Sequence, residues 1–180
     1  MTPEPRRFRT LGSSAALKRL QAQQQVMTQD TYGQWMGTPM DRRDVDALLR
    51  SEGWGVLSLA RDDEPYSLPI SFGWDGEAVY FAFLVDSPTS RKTEFVADDR
   101  TARLLVTDVD GRFDWESVAV TGPLRSLERD TSGWEAMMDA LEDNAWFSPD
   151  FERSSTVQEL LGWRLRPEET RGLAVRGDED

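Results

Sequence analysis

Apolar residues recur along this chain with two different periods, and the switch between them lays out its elements. Val45, Leu48 and Leu49 fall at helical spacing. Thr38-Pro39 ahead of them reads as an N-cap hydroxyl and first-position proline, with Asp41 and Asp44 in the first turn and Gly53 as the stop. From Gly55 the period shortens to two. Gly55 to Arg61 alternates large apolar with small residues, and Asp62-Asp63-Glu64-Pro65 turns the chain. Tyr66 to Trp74 reads as a second strand, with Pro69 inside it marking an edge, a bulge or a place where the strand meets a ligand. Asp75-Gly76 is a hairpin signal in which both central residues need positive φ. Val79 to Val85 is apolar on both alternating faces, which predicts burial from two sides.

A short helix follows, starting after Ser87-Pro88, burying Phe95 and Val96 and ending at Asp98-Asp99. Ala102 to Asp108 reads as a fourth strand. Asp110-Gly111 turns it into a long strand from Phe113 to Leu127, with a break or bulge predicted at Gly122-Pro123. Thr131 or Ser132 caps a helix whose Trp134, Met137, Met138 and Leu141 form its core stripe. Residues 144–155 read as a loop whose Trp146, Phe147 and Phe151 pack as core, lid or subunit contact. Leu161 to Arg166 and Arg171 to Val175 read as a closing hairpin. The pattern is mainly β with inserted helices (α+β). Six or seven antiparallel strands joined by short hairpins close most naturally into a small barrel.

Charge changes this picture in two places. The whole chain carries a net −12, with 33 acids against 21 cations, of which only Lys18 and Lys92 are lysine. An acid-rich, lysine-poor globular pattern predicts adaptation to high salt, and it argues against nucleic acid and anionic membrane as partners. Residues 1–30 depart from this: Arg6, Arg7, Arg9, Lys18 and Arg19 face the single acid Glu4 before Asp30. That segment reads as a disordered basic extension, as a start assigned too early with Met27 or Met40 as the true one, or as a basic arm that docks on an acidic surface. The folded domain is expected over 38–177. No long apolar run or signal-peptide core is present, so a soluble cytoplasmic protein is expected.

Zero Cys excludes disulfides and thiol chemistry, and zero His removes the commonest general base and most zinc sites. The paired carboxylates Asp62/Asp63, Asp98/Asp99, Asp108/Asp110 and Glu168/Glu169 all lie in turns, where solvation explains them. What remains is Ser90-Arg91-Lys92, two cations together where a helix begins in an acidic chain. Either they clamp a phosphate, or they are a solvated helix start facing nearby acids.

The order Gly55-Val56-Leu57-Ser58-Leu59-Ala60, Pro65 through Gly76, Val79-Tyr80-Phe81, then Ser90-Arg91-Lys92 resembles the pyridoxamine-5′-phosphate-oxidase-like, FMN-binding split-barrel family. The segment Phe113 to Val118 with Thr121-Gly122 is similar to its acidic, archaeal-type members. The resemblance spans roughly 40–176. It implies a six-stranded antiparallel split β-barrel that forms a homodimer, with FMN in grooves at the subunit interface. It also implies that Arg91 and Lys92, with Ser90 adjacent, hold the phosphate. The flavin ring would lie along Leu68, Pro69, Ile70 and Ser71, with Phe83 walling the groove and Trp115 reaching in from the partner subunit. The expected activity is a flavin-dependent oxidoreductase acting on a small-molecule redox substrate. The alternatives are a deazaflavin-dependent reductase or a non-catalytic flavin-binding module. The Arg-rich C-terminal segment that grips substrate in true pyridoxamine-phosphate oxidases is not evident, so the family implies no particular reaction. Phe81-Ala82-Phe83 stands where related subgroups carry a His.

Overall fold

The computed structural model describes residues 36–85, 90–142, 144 and 159–176. The elements lie in the unit Thr38–Asp180. Nine strands and three helices occur among the described residues, the count exceeding six because two strands are short and others are interrupted. The predicted extension at 1–30 and the aromatics Trp146, Phe147 and Phe151 lie outside the described residues.

Thr38-Pro39 does not open a helix. It forms the short strand β1 (Thr38–Pro39), and Asp41 is the N-cap of α1 (Arg42–Glu52), accepting from the Asp44 amide at 2.9 Å. An aspartate at that position satisfies an orphan amide better than a hydroxyl three residues earlier could. Gly53 ends the helix at φ 61°, a left-handed conformation that favours glycine. Val45, Leu48 and Leu49 are buried as their spacing predicts.

β2 (Trp54–Arg61) and β3 (Glu64–Ser71) form a hairpin around Asp62 and Asp63, both at positive φ. The second predicted strand is interrupted at Phe72, after which β4 (Gly73–Trp74) pairs with β5 (Val79–Val85). The link between them has four residues, and only Gly76 has positive φ. Asp75 Oδ1 accepts the amides of Glu77 and Ala78 at 2.7 Å, so an aspartate side chain closes the turn in place of a two-residue hairpin. α2 (Arg91–Phe95) follows β5, then β6 (Thr101–Gly111), β7 (Asp114–Leu127), α3 (Ser132–Glu142), β8 (Glu159–Leu165) and β9 (Glu169–Val175).

The strand order is β3-β2-β6-β7-β8-β5-β4, with β9 paired to β7 and β1. The ladders are all antiparallel. β8 and β9 are therefore not a hairpin. Both lie against β7: Thr121 pairs with Glu169 and Leu124 with Leu165. The predicted break at Gly122-Pro123 is the point where β7 passes from one half of the split barrel to the other. β7 stays in register with β6 through it, and the ladder irregularity falls at Val109/Gly111 instead.

Leu57, Leu59, Phe72, Phe81, Phe83, Phe95, Leu104, Val118 and Leu165 belong to one core. Each large side chain so buried contributes roughly 1.5–3 kcal/mol. A second, smaller cluster of Ala78, Tyr80, Met137 and Leu141 seats α3, whose N-cap is Thr131, accepting from the Trp134 amide at 3.3 Å. Asn144 is a buried polar side chain that donates to the carbonyls of Gly53 and Phe72, tying the end of α3 to the β3–β4 break.

Glu52, at the end of α1, has its carboxyl raised above the usual 4.5 by burial first and then by Asp108 and Asp110. A raised carboxylate pKa means that charged Glu52 costs stability, and the cost is relieved as pH falls through the raised value. Glu52→Gln is expected to melt at higher temperature than the parent at pH 7 in low salt. That gain should shrink toward pH 4.5 or in molar KCl, as followed by thermal denaturation. Equal melting points at pH 7 would refute it.

Candidate functional site

The cationic residues singled out from the sequence sit where three elements meet: the end of β2, the start of β3 and α2. Phe95 on α2 is fully buried and stacks on Tyr66 of β3, ring centroids 4.7 Å apart and planes 18° apart. Two guanidinium groups lie over this stack. Arg61 is 5.2 Å from the Phe95 centroid, and Arg91 is 5.8 Å from both Phe95 and Tyr66. The ring quadrupoles hold these cations in place while their outer sides stay wet. Arg91 is 63% exposed.

Each cation also has a polar partner. Arg91 Nη2 bonds Glu64 Oε1, and Lys92 Nζ donates to the Leu84 carbonyl at the end of β5. Arg61 Nη2 lies 3.3 Å from Glu94 Oε2. Arg100 donates to the Phe95 carbonyl at 2.8 Å, closing the C-terminal end of α2. The Ser90 carbonyl accepts from the Thr93 amide and hydroxyl, at 3.1 and 2.6 Å; its own hydroxyl makes no cap bond. Arg61, Arg91, Lys92 and Arg100 thus gather beside Asp62, Asp63, Glu64 and Glu94, in a chain whose net charge is −12. Sequence reasoning did not single out Arg61 and Arg100.

β3 stands at the end of the strand order, so among the described residues its outer edge has no strand partner. That position accommodates Pro69, which has no amide to give to a ladder. Leu68 and Ile70 face the core, while Pro69, paired with Val56, and Ser71, paired with Trp54, face outward. Phe83 is 2% exposed, its ring packed 5.5 Å from Phe81 within the core. Trp115 is half-buried on β7, paired with Val109 at the opposite end of the β6–β7 ladder from Thr101. It shares the outward face with Ser71, with β2 and β6 between them. Arg91, Lys92, Ser90 and the start of β3 are therefore together, Leu68 to Ser71 continue away from them along one edge, and Trp115 is remote within the chain.

The outward face of β2, β6, β7 and β9 carries an apolar patch bordered by polar residues such as Arg103 and Arg171. Trp54, Val56, Leu105, Val109 and Leu173 are all more than a third exposed, and Val56 lies directly opposite Leu105. A cleft of about 530 Å³ between α1, the 75–78 turn and the β8–β9 connection is lined by Met40, Arg42, Trp74, Glu77 and Thr170 and contains none of the predicted site residues. Among the described residues no helix is long and apolar enough to cross a membrane, and no group of acidic residues is arranged to hold a metal ion.

Comparison with known proteins gives four findings. The family profile described as pyridoxamine 5′-phosphate oxidase matches residues 41–174. An uncharacterized protein of Rhizobium meliloti (strain 1021) is 25% identical over 88 residues, which cover 49% of this chain and 56% of that relative's length. The FAD-binding protein of Mycobacterium smegmatis superposes with a TM-score of 0.59 at 17% identity, covering 78% of this chain and 99% of the other. A FAD-binding protein from Mesorhizobium loti gives 0.58 at 21%, covering 75% and 93%. At these identities the structural likeness is one of fold.

Proposed function

The chain belongs to the pyridoxamine 5′-phosphate oxidase family, and on that premise we propose that it is a flavin-dependent oxidoreductase holding FMN at a homodimer interface. One observation carries the reading: in a strongly acidic chain, Arg61, Arg91, Lys92 and Arg100 gather at one corner, next to a strand edge that has no partner among the described residues. The donor set fits a phosphorylated flavin. Arg91 presents a guanidinium fork to a phosphate, Lys92 adds a point charge, and Ser90 stands next to both. Leu68 to Ser71 then offer a strand edge along which a flat ring lies, with Pro69 contributing no donor there. Phe83 acts from behind, its packing against Phe81 fixing the wall of the groove.

When bound, the flavin supplies hydride or single-electron transfer, which suits a chain without His or Cys. The protein's share is then to neutralise the phosphate, orient the ring and keep water from it. Water exclusion at a sheet edge calls for a cover. A two-fold pairing of the apolar outer face supplies one, bringing the partner subunit's Trp115 toward the Ser71 end of the groove. That two of the structurally similar proteins are FAD-binding supports a flavin in general. FMN is preferred here because Arg91 and Lys92 stand side by side at one helix start, a donor pair suited to one phosphate.

Titration of the purified protein with FMN, followed by flavin absorbance and fluorescence quenching, tests the reading. A tight complex whose flavin is reduced by a nicotinamide donor, the donor being oxidised, is expected. A colourless protein that takes up no flavin would overturn it.

A further inference from the structure

We propose that Arg61 binds the cofactor phosphate together with Arg91, and that Glu64 and Glu94 are internal counter-ions which the phosphate displaces. The inference rests on the flavin reading of this site and adds a binding residue and a tuning device to it. Four observations point the same way. Arg61 and Arg91 come from different elements, yet both guanidinium groups lie over Phe95, at 5.2 and 5.8 Å. Each has a close carboxylate partner, Glu94 at 3.3 Å for Arg61 and Glu64 for Arg91, and Arg61 has a longer contact of 3.9 Å to the exposed Asp62. Glu64 and Glu94 are themselves about half exposed, so they can swing into water when a stronger anion arrives. Lys92, by contrast, spends a donor inward on the Leu84 carbonyl, which leaves a second outward cation to be found elsewhere.

The energetics favour exchange over simple addition. An exposed carboxylate–guanidinium pair is worth little because water competes for both partners. A phosphate dianion shared between two guanidinium groups carries twice the charge and more acceptor oxygens, and both forks are already aimed by the aromatic stack. Glu64 and Glu94 then do two things. Without cofactor they hold the arginines in place against their mutual repulsion. With cofactor they set a threshold, because any ligand must compete with them. A neutral flavin lacking phosphate gains nothing from this exchange.

Comparing riboflavin with FMN isolates the phosphate. Arg61→Gln is expected to weaken FMN by about ten- to a hundredfold while leaving riboflavin affinity unchanged. Glu64→Gln is expected to tighten FMN by about two- to fivefold, again without effect on riboflavin. The riboflavin titration also reports whether each variant has kept its fold. Wild type binding neither flavin would overturn the flavin reading itself. Wild type preferring FMN, with Arg61→Gln keeping that preference or Glu64→Gln failing to increase it, would overturn this inference and leave the flavin reading intact.

Discussion

A Gly122→Ala variant is expected to lose about 3 kcal/mol or more of folding stability, the upper end of what one added methyl group does in a packed interior. Gly122 lies on β7 between Thr121, which pairs with β9, and Leu124, which pairs with β8. The connection between β8 and β9 runs directly over it. The Arg166 amide donates to the Pro123 carbonyl at 3.1 Å and the Glu168 amide to the Thr121 carbonyl at 2.9 Å. A β-carbon at position 122 would overlap the Arg166 carbonyl oxygen and come within 3.1 Å of the Glu168 nitrogen. These are backbone atoms held by ladder hydrogen bonds, so no rotamer change makes room. Relief would require pulling the connection off β7, which breaks the joint between the two halves of the barrel. Urea denaturation measures the loss. Gly133→Ala serves as a control, because its nearest neighbour is the flexible Leu127 side chain at 3.1 Å; it should stay within about 1 kcal/mol of the parent. A Gly122→Ala loss below about 1 kcal/mol would show that this crossing is not tight.

The same residue illustrates what the sequence could and could not say. Gly122-Pro123 stood out as an interruption, since neither residue favours the middle of a strand. Its purpose depended on where residues 165–169 come to lie, and such long-range pairing leaves no local mark. The closing hairpin failed for the same reason: two short apolar runs joined by Pro167 to Thr170 look like a hairpin, yet β8 and β9 both chose β7. Local signals fared better. The stripe of Val45, Leu48 and Leu49, the two-sided burial of β5 and the Asp62-Asp63 turn all depend on neighbours within a few positions, and each was readable. The candidate site divides along the same line. Ser90-Arg91-Lys92 were visible because they are contiguous. Arg61 joins them only through the fold, and Asn144, an ordinary loop residue by sequence, is buried because two backbone carbonyls converge on it.

Leu105→Glu is expected to convert a dimer into a monomer. Leu105 is 41% exposed at the middle of the outward sheet face, opposite Val56 on β2 and Ala119 on β7. A chain this acidic gains nothing by displaying Trp54, Val56, Leu105 and Val109 together in water unless something covers them. In a two-fold interface every substitution occurs twice. Only the exposed 41% of each Leu105 is left to bury, so losing two leucines removes roughly 1–2.5 kcal/mol, and two carboxylates forced into an apolar contact add several kcal/mol of repulsion and desolvation. The dimer dissociation constant should therefore rise by at least about a hundredfold, on a scale of 1.4 kcal/mol per tenfold. Light scattering coupled to size-exclusion chromatography reads the mass directly. If the outer face also covers the flavin, the monomeric variant should lose FMN while its circular dichroism spectrum stays that of the parent. A wild-type chain that is monomeric, or a Leu105→Glu chain that remains dimeric, would remove this face as the cover. The groove along β3 would then have to exclude water with residues of its own subunit.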